Sequence, residues 1–240
     1  MQVLIQPRGD ENHLHVSDLF GCDRATHARI VDNDFEPVDA NTAFKFRMGN
    51  DVEEDVRASF LDQYATGKKI AMWLDWDGIQ GQIVPEDYVA APSEIIGHPD
   101  AIADDAVIEI KSVVLYKVMH PPWNYVVPQS EEDLSRWHRI QVAAYALALR
   151  KERAVVFEAC RASGERKAIE FDPEHLRPWI TNRMQEMFNN VALSVDRPEP
   201  TLHDFTLDRK GNSWLCKYCR YAGCEQNVNP FVKVREHAGS

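Results

Sequence analysis

Five cysteines are the tightest constraint this chain places on its own fold. Three of them, Cys216, Cys219 and Cys224, form a C-x2-C-x4-C run near the C-terminus. The other two, Cys22 and Cys160, stand alone far upstream. The count is odd, and the N-terminal MQVLIQPRGDENH has no basic stretch leading into an apolar one. A disulfide framework of an exported protein is therefore not expected. Two thiolates at C-x2-C spacing can grip one metal centre from a tight turn, and Cys224 adds a third ligand. A fourth has to come from a distant part of the chain. Cys22, in VSDLFGCDR with Ser17 and Asp18 as candidate helix caps, is the preferred partner. Cys160 ends an apolar run, Ala154 to Ala159, where a small buried thiol is the ordinary occupant. Zinc and an iron–sulfur cluster both suit such a donor set. Either would draw the N-terminal segment onto the C-terminal tail.

The chain is 240 residues long, enough to bury roughly 70–75% of its unfolded surface without staples. Its 44% apolar content is that of a folded protein, and no run of 18 apolar residues is present to span a membrane. A cytoplasmic protein is expected. The net charge is −11, with 38 acids against 27 bases. That balance argues against coating nucleic acid by bulk charge. The distribution matters more. Residues 74–109 hold nine acids and no Lys or Arg, residues 136–153 hold five bases and one acid, and residues 207–240 hold six bases and three acids.

Periodicity predicts a short helix around 18–30 and a longer one over 42–65, with Phe44, Met48, Val52, Val56 and Phe60 recurring every fourth residue and Gly67 past its end. Strands are expected over 69–76 and 81–90, split by Asp77-Gly78, and over 95–102 and 106–114, turning at Asp104-Asp105. A proline-rich loop follows over 115–131. A helix over 132–151 starts acidic and ends basic, as its dipole favours. A hairpin over 154–160 and 166–171 precedes a helix over 174–194, for which Asp172-Pro173 supplies cap and first turn. The pattern is that of an α/β (α+β) fold with a small mixed sheet flanked by helices. One unit spans 1–240: an N-terminal segment over 1–40, a core over 42–195 and a cysteine-bearing segment over 196–240.

Chemistry concentrates in two stretches. In Ile95-Ile-Gly-His-Pro-Asp100 and Val107-Ile-Glu-Ile-Lys-Ser112, strand alternation puts Glu109 and Lys111 on one face and Ile108 and Ile110 on the other. With Asp100 arriving from the neighbouring strand, two carboxylates and a lysine make a site for a hard divalent cation and a water. On the helix over 132–151, His138, Gln141 and Tyr145 share a face, beside an apolar stripe of Trp137, Ile140, Ala144 and Leu147. On the first long helix, Gly49 leaves space one turn from Glu53, and Glu53 and Arg57 stand at i, i+4 as an ordinary surface pair.

Gly97-x-x-Asp100, Glu109-x-Lys111 and Gln141-x3-Tyr145, in that order, resemble the PD-(D/E)xK nucleases of the RecB type. One cysteine before the core and three after it resemble that group's iron–sulfur branch, which includes CRISPR-associated RecB-like exonucleases, the AddB nuclease domain and related phage exonucleases. The resemblance spans about residues 17–225. It implies a restriction-endonuclease-like core in which Asp100, Glu109 and the main-chain carbonyl of Ile110 bind Mg²⁺ or Mn²⁺. It implies Lys111 as the catalytic lysine, with Gln141 and Tyr145 supporting the site and the DNA backbone. It also implies a structural [4Fe–4S] cluster on Cys22, Cys216, Cys219 and Cys224. The implied reaction is phosphodiester hydrolysis of DNA, commonly from a single-stranded end, here expected from the 5′ end. The implied settings are CRISPR adaptation, recombination or phage DNA processing. Many members carry a metal-binding His four residues after the glycine on the first helix. Here that place is Glu53, an acid, as in phage relatives of the lambda-exonuclease kind, and Glu53 becomes a third carboxylate ligand. A non-catalytic DNA-end-binding adaptor and a zinc-stapled domain of unrelated function are the alternatives. Tyr116, Trp123 and Tyr125 are candidates to stack bases, and Lys117, Arg136 and Arg139 to meet phosphates.

Overall fold

The computed structural model describes residues 13–32, 40–59, 64–113, 118–119, 124–125, 128–160, 164–193 and 198–200, together with Cys216, Cys219, Tyr221 and Cys224. In chain order the strands are β1 (Leu14–His15), β2 (Ala65–Thr66), β3 (Lys69–Asp75), β4 (Gly78–Val84), β5 (Ile95–Gly97), β6 (Ala101–Ile102), β7 (Ala106–Val113), β8 (Val118–Met119), β9 (Asn124–Tyr125), β10 (Arg153–Cys160) and β11 (Arg166–Phe171). The α-helices are α1 (Asp23–His27), α2 (Ala40–Ala58), α3 (Arg136–Ala148) and α4 (Arg177–Met187).

The sequence predicts one small mixed sheet; among the described residues the structure has two larger sheets and a two-stranded ribbon. Strands β1-β5-β3-β4 form one and β11-β10-β7-β6-β2 the other, and both are mixed. β1 runs parallel to β5 and β10 parallel to β7, while the remaining pairs are antiparallel. β8 and β9 pair only with each other.

The split has a local cause. The stretch 95–102 reads as one continuous strand, but His98-Pro99 interrupts it. Proline lacks the amide that a ladder needs and pushes the residue before it out of regular pairing. β5 therefore pairs with β3 in the first sheet and β6 with β7 in the second. Asp100 sits at the end of this crossover, immediately before β6.

The β3–β4 hairpin closes with the two residues Trp76-Asp77, one residue earlier than Asp77-Gly78 suggests, because Asp75 pairs with Gly78. Gly78 takes φ +106, a conformation that costs glycine little and other residues a good deal. The Asp77 amide donates to Asp75 Oδ1 at 2.7 Å.

The main core lies between the first sheet, one face of the second, and α3 and α4. It joins Ile70, Met72 and Ile95 to Val107, Val156, Ile140, Leu147, Ile180 and Met184. On the opposite face of the second sheet, Ile108, Ile110 and Ala159 pack with Val52 and Val56 of α2. Only this half of the expected apolar stripe on α2 is used. Phe44 and Met48 are exposed, and Phe60 lies outside the described residues.

α3 begins at Arg136, four residues later than expected. The acids Glu131, Glu132 and Asp133 form a separate 3-10 turn ahead of it, because Asp133 folds back to accept the amides of Gln129 and Ser130. The predicted cap at Asp172 is present, with its Oδ1 accepting the Glu174 amide at 2.9 Å. That turn is 3-10, and α4 follows over a shorter span, 177–187, before a π-helical turn at Phe188–Ala192. The acidic–basic cross-link with most burial is Arg183 on α4. Its guanidinium donates to the carbonyls of Leu19 and Gly21 and to the Asp23 carboxylate, which also accepts from Asn190. A charge this deep persists only when paired and fully bonded. The network fixes the segment leading into Cys22 against α4.

Candidate active site

β7 lies in the interior of its sheet, with β6 on one side and β10 on the other. Alternation along it puts Val107, Glu109 and Lys111 toward α3 and Ile108 and Ile110 toward α2. The sequence puts Glu109 and Lys111 side by side on one face of an apolar strand, and in the structure Glu109 is only 3% exposed, on a strand covered on both faces. A buried carboxylate needs partners, and Glu109 has half of them. Lys111 Nζ donates to Oε1 at 2.6 Å, while Oε2 is buried and accepts nothing among the described residues.

Asp100 reaches the same spot from the crossover. Its Oδ2 accepts the Ile110 amide at 2.7 Å, which fixes the carboxylate against the middle of β7. Its Oδ1 accepts Arg57 Nη2 at 2.5 Å. Helical spacing offers Arg57 only Glu53; the packing of α2 on β7 brings its guanidinium to the buried Asp100 carboxylate as well. Glu53 remains close enough for its charge to act on both Glu109 and Lys111.

Burial is the main influence on Glu109 and pushes its carboxyl up to about 8. Asp100 and Glu53 push the same way, and Lys111 pulls against them. Burial disfavours the Lys111 ammonium, but Glu109, with Asp100 and Glu53 behind it, more than offsets this and holds the amine above its ordinary value.

α3 supplies the roof. Tyr145 is 3% exposed, hydrogen-bonded to the Gln141 side chain and to the main chain of His98, and its phenol is raised, chiefly by burial. Gly97 is what admits it. A Cβ on Gly97 would lie 2.3 Å from Tyr145 Cε1 and 2.9 Å from Val16 Cγ2. The glycine of Gly97-x-x-Asp100 thus serves the approach of an aromatic ring to β5, with φ playing no part.

Sequence reasoning passed over one further pair. Glu158 on β10 stands in register with Lys111 and is 6% exposed, with His138 Nδ1 of α3 at 3.4 Å. Burial lowers the imidazole pKa, Glu158 opposes that shift, and Lys111 adds to it. The signal was available: His138, Gln141 and Tyr145 share a face, and Glu158 interrupts an apolar strand.

Asp100, Glu109, Lys111, Gln141 and Tyr145 are thus brought together, with Glu53 at their margin. The Ile110 amide is engaged by Asp100. The donor chemistry fits a hard dication. Three carboxylates lie within electrostatic reach of one another, and one buried oxygen of Glu109 has no donor. The carboxylates are not drawn up to ligating distances. Among the described residues no three acidic, imidazole or thiol groups are so arranged, and Arg57 and Lys111 each engage one carboxylate oxygen.

The cysteines come together as well. Cys224 and Tyr221 are buried against Ala28, just beyond α1, with Cys219 packed beside them. Burial pushes the Cys219 thiol up to about 11, with Cys22, Cys224 and Cys216 adding to it. Burial also raises Cys216, with Cys22 and Cys224 contributing. All five cysteines are free thiols, and Cys160 is a buried residue at the end of β10. The four-thiol donor set fits a thiolate-ligated metal centre in chemistry, with the same reservation on distance. Tyr116, Lys117 and Trp123 lie outside the described residues. No described helix is long and apolar enough to cross a membrane.

No family model and no curated protein sequence matches the chain. Solved structures similar to it include the following two. An alkaline exonuclease (LHK-Exo) from Laribacter hongkongensis has a TM-score of 0.48 and 11% identity, over 76% of this chain and 89% of that one. The crystal structure of SSO0001 has a TM-score of 0.53 and 16% identity, over 91% of this chain and 88% of that one. The likeness to SSO0001 runs nearly end to end and is a likeness of fold.

Proposed function

We propose that the chain is a divalent-metal-dependent DNA nuclease whose site is built on β7, the crossover to β6, α2 and α3. The observation that carries this reading is Glu109: a carboxylate 3% exposed, one oxygen on Lys111 and the other without a donor, with Asp100 and Glu53 beside it. A merely structural buried acid would have both oxygens satisfied.

In this reading Glu53, Asp100, Glu109 and the Ile110 carbonyl would hold Mg²⁺ or Mn²⁺, which would supply positive charge against the negative charge developing on a phosphoryl group. The chain's own groups do the rest. Asp100 is held at the right depth by the Ile110 amide. Lys111 projects from β7 beside Glu109, where its ammonium orients the attacking water and meets the charge of the transition state. Tyr145, pinned by Gln141 and His98, closes the site from above and keeps the lysine in low-dielectric surroundings. The finer reading is an exonuclease acting on single-stranded DNA from the 5′ end. Cys22, Cys216, Cys219 and Cys224 would hold a structural [4Fe–4S] cluster that ties the tail to α1. CRISPR adaptation and recombination remain the settings the motif order suggests.

The test is a time course on 5′- and 3′-labelled single- and double-stranded DNA with Mn²⁺. Lys111→Ala and Asp100→Ala each abolish cutting if the assignment is right. Full activity in either overturns the site. Undiminished DNA binding with no cutting by the wild type returns the adaptor reading.

A further inference from the structure

Arg57 has no place in that mechanism, yet it bonds directly to one of the proposed ligands. Its Nη2 lies 2.5 Å from Asp100 Oδ1, the one oxygen of that carboxylate not committed to the Ile110 amide. A cation using Asp100 through that oxygen must share it with, or take it from, the guanidinium. Arg57 is the more exposed partner: its side chain is 34% exposed against 9% for Asp100, and its buried Nε donates to nothing among the described residues. A part-exposed guanidinium with a donor to spare, one turn from Glu53, matches a phosphate diester in both charge and fork geometry.

We propose that Arg57 is a counterion that exchanges partners: it holds Asp100 until a dication claims Oδ1, and then moves to a phosphate of the incoming DNA. The proposal rests on the nuclease reading. Its consequence is coupling. The dication frees the phosphate binder, and the phosphate in turn stabilises the arrangement in which Asp100 is open to the dication, so each ligand must tighten the other by the same factor.

The test uses the full chain and titrates Mn²⁺ by calorimetry without DNA. Arg57→Ala and Arg57→Gln remove the competitor, so Mn²⁺ should bind about tenfold more tightly than to the wild type. Arg166→Ala is the charge control. It removes a cation that lies 3.5 Å from Asp55 on the same helix but touches no proposed ligand, and it should change the affinity by less than about twofold. A second measurement follows end-labelled DNA by anisotropy in the Lys111→Ala background, with and without Mn²⁺. The tightening of DNA by Mn²⁺ should shrink severalfold when Arg57 is also replaced. Unchanged or weaker Mn²⁺ binding in both Arg57 variants overturns the proposal, as does coupling that survives their loss. Either result leaves the nuclease reading standing. Wild-type chain that binds no Mn²⁺, or Asp100→Asn that binds it as well as wild type, overturns that reading itself.

Discussion

Glu109→Gln gives the most direct physical test of the buried site, because it keeps the shape and removes the charge. The carboxyl rises from an ordinary 4.5 to about 8, driven first by burial. Below pH 4.5 the folded and unfolded chains both keep this proton. Between 4.5 and 8 the unfolded chain releases it and the folded chain holds it, so stability falls as pH rises through this window and levels off above it. At about 1.4 kcal/mol per pKa unit the ceiling is about 5 kcal/mol. The pull of Lys111, 2.6 Å away, is already contained in that value. The Gln variant cannot ionise and should lack this fall. It leaves Lys111 beside a neutral amide, a cost that does not change across the window. The assay is urea denaturation in a chelating buffer from about pH 5 to about pH 8.5, read as the difference between wild-type and variant curves. Parallel curves would refute the account of Glu109 as a carboxylate raised by burial. Adding Mg²⁺ at the alkaline end should restore wild-type stability and leave the variant nearly unchanged.

Gly97→Ala forces its new methyl against Tyr145 and Val16 and should cost about 1–3 kcal/mol in urea denaturation, with loss of any nuclease activity exceeding the loss of folded protein. Arg183→Met strips the Asp23 carboxylate and the Leu19 and Gly21 carbonyls of their donors and should destabilise the fold by about 3–5 kcal/mol. The pair Arg183→Met with Asp23→Leu should recover part of that loss; no recovery would mean the pairing is not what holds the segment. Anaerobically purified protein should be brown, with broad visible absorbance that Cys219→Ser abolishes; one zinc and no iron would replace the cluster with a zinc site.

Much of the site was legible before any coordinates. Strand alternation is local geometry, so Glu-Ile-Lys fixes which side chains share a face whatever surrounds them. Helix spacing similarly sets Gln141 and Tyr145 on one side of α3. Asp172-Pro173 stops one element and starts another through bonds made within four residues. The sorting of cysteines into a cluster and two singletons is also a property of spacing alone.

Other features depend on which elements meet, and spacing carries no information about that. His98-Pro99 was visible, but whether the chain bends or changes sheet there depends on the partners available to β5 and β6. Arg57 stands one turn from Glu53, but its bond to Asp100 depends on where the crossover arrives, which spacing within α2 does not record. Half the apolar stripe of α2 is left exposed because the second sheet underlies only the Val52–Val56 end. Spacing set Glu109 beside Lys111, but its burial was decided only when β6 and β10 closed on either side of β7. The sequence alone determined the chemical groups and their local facing, through covalent spacing. Tertiary structure decided which charges are deprived of water, and therefore which of those groups are under electrostatic tension.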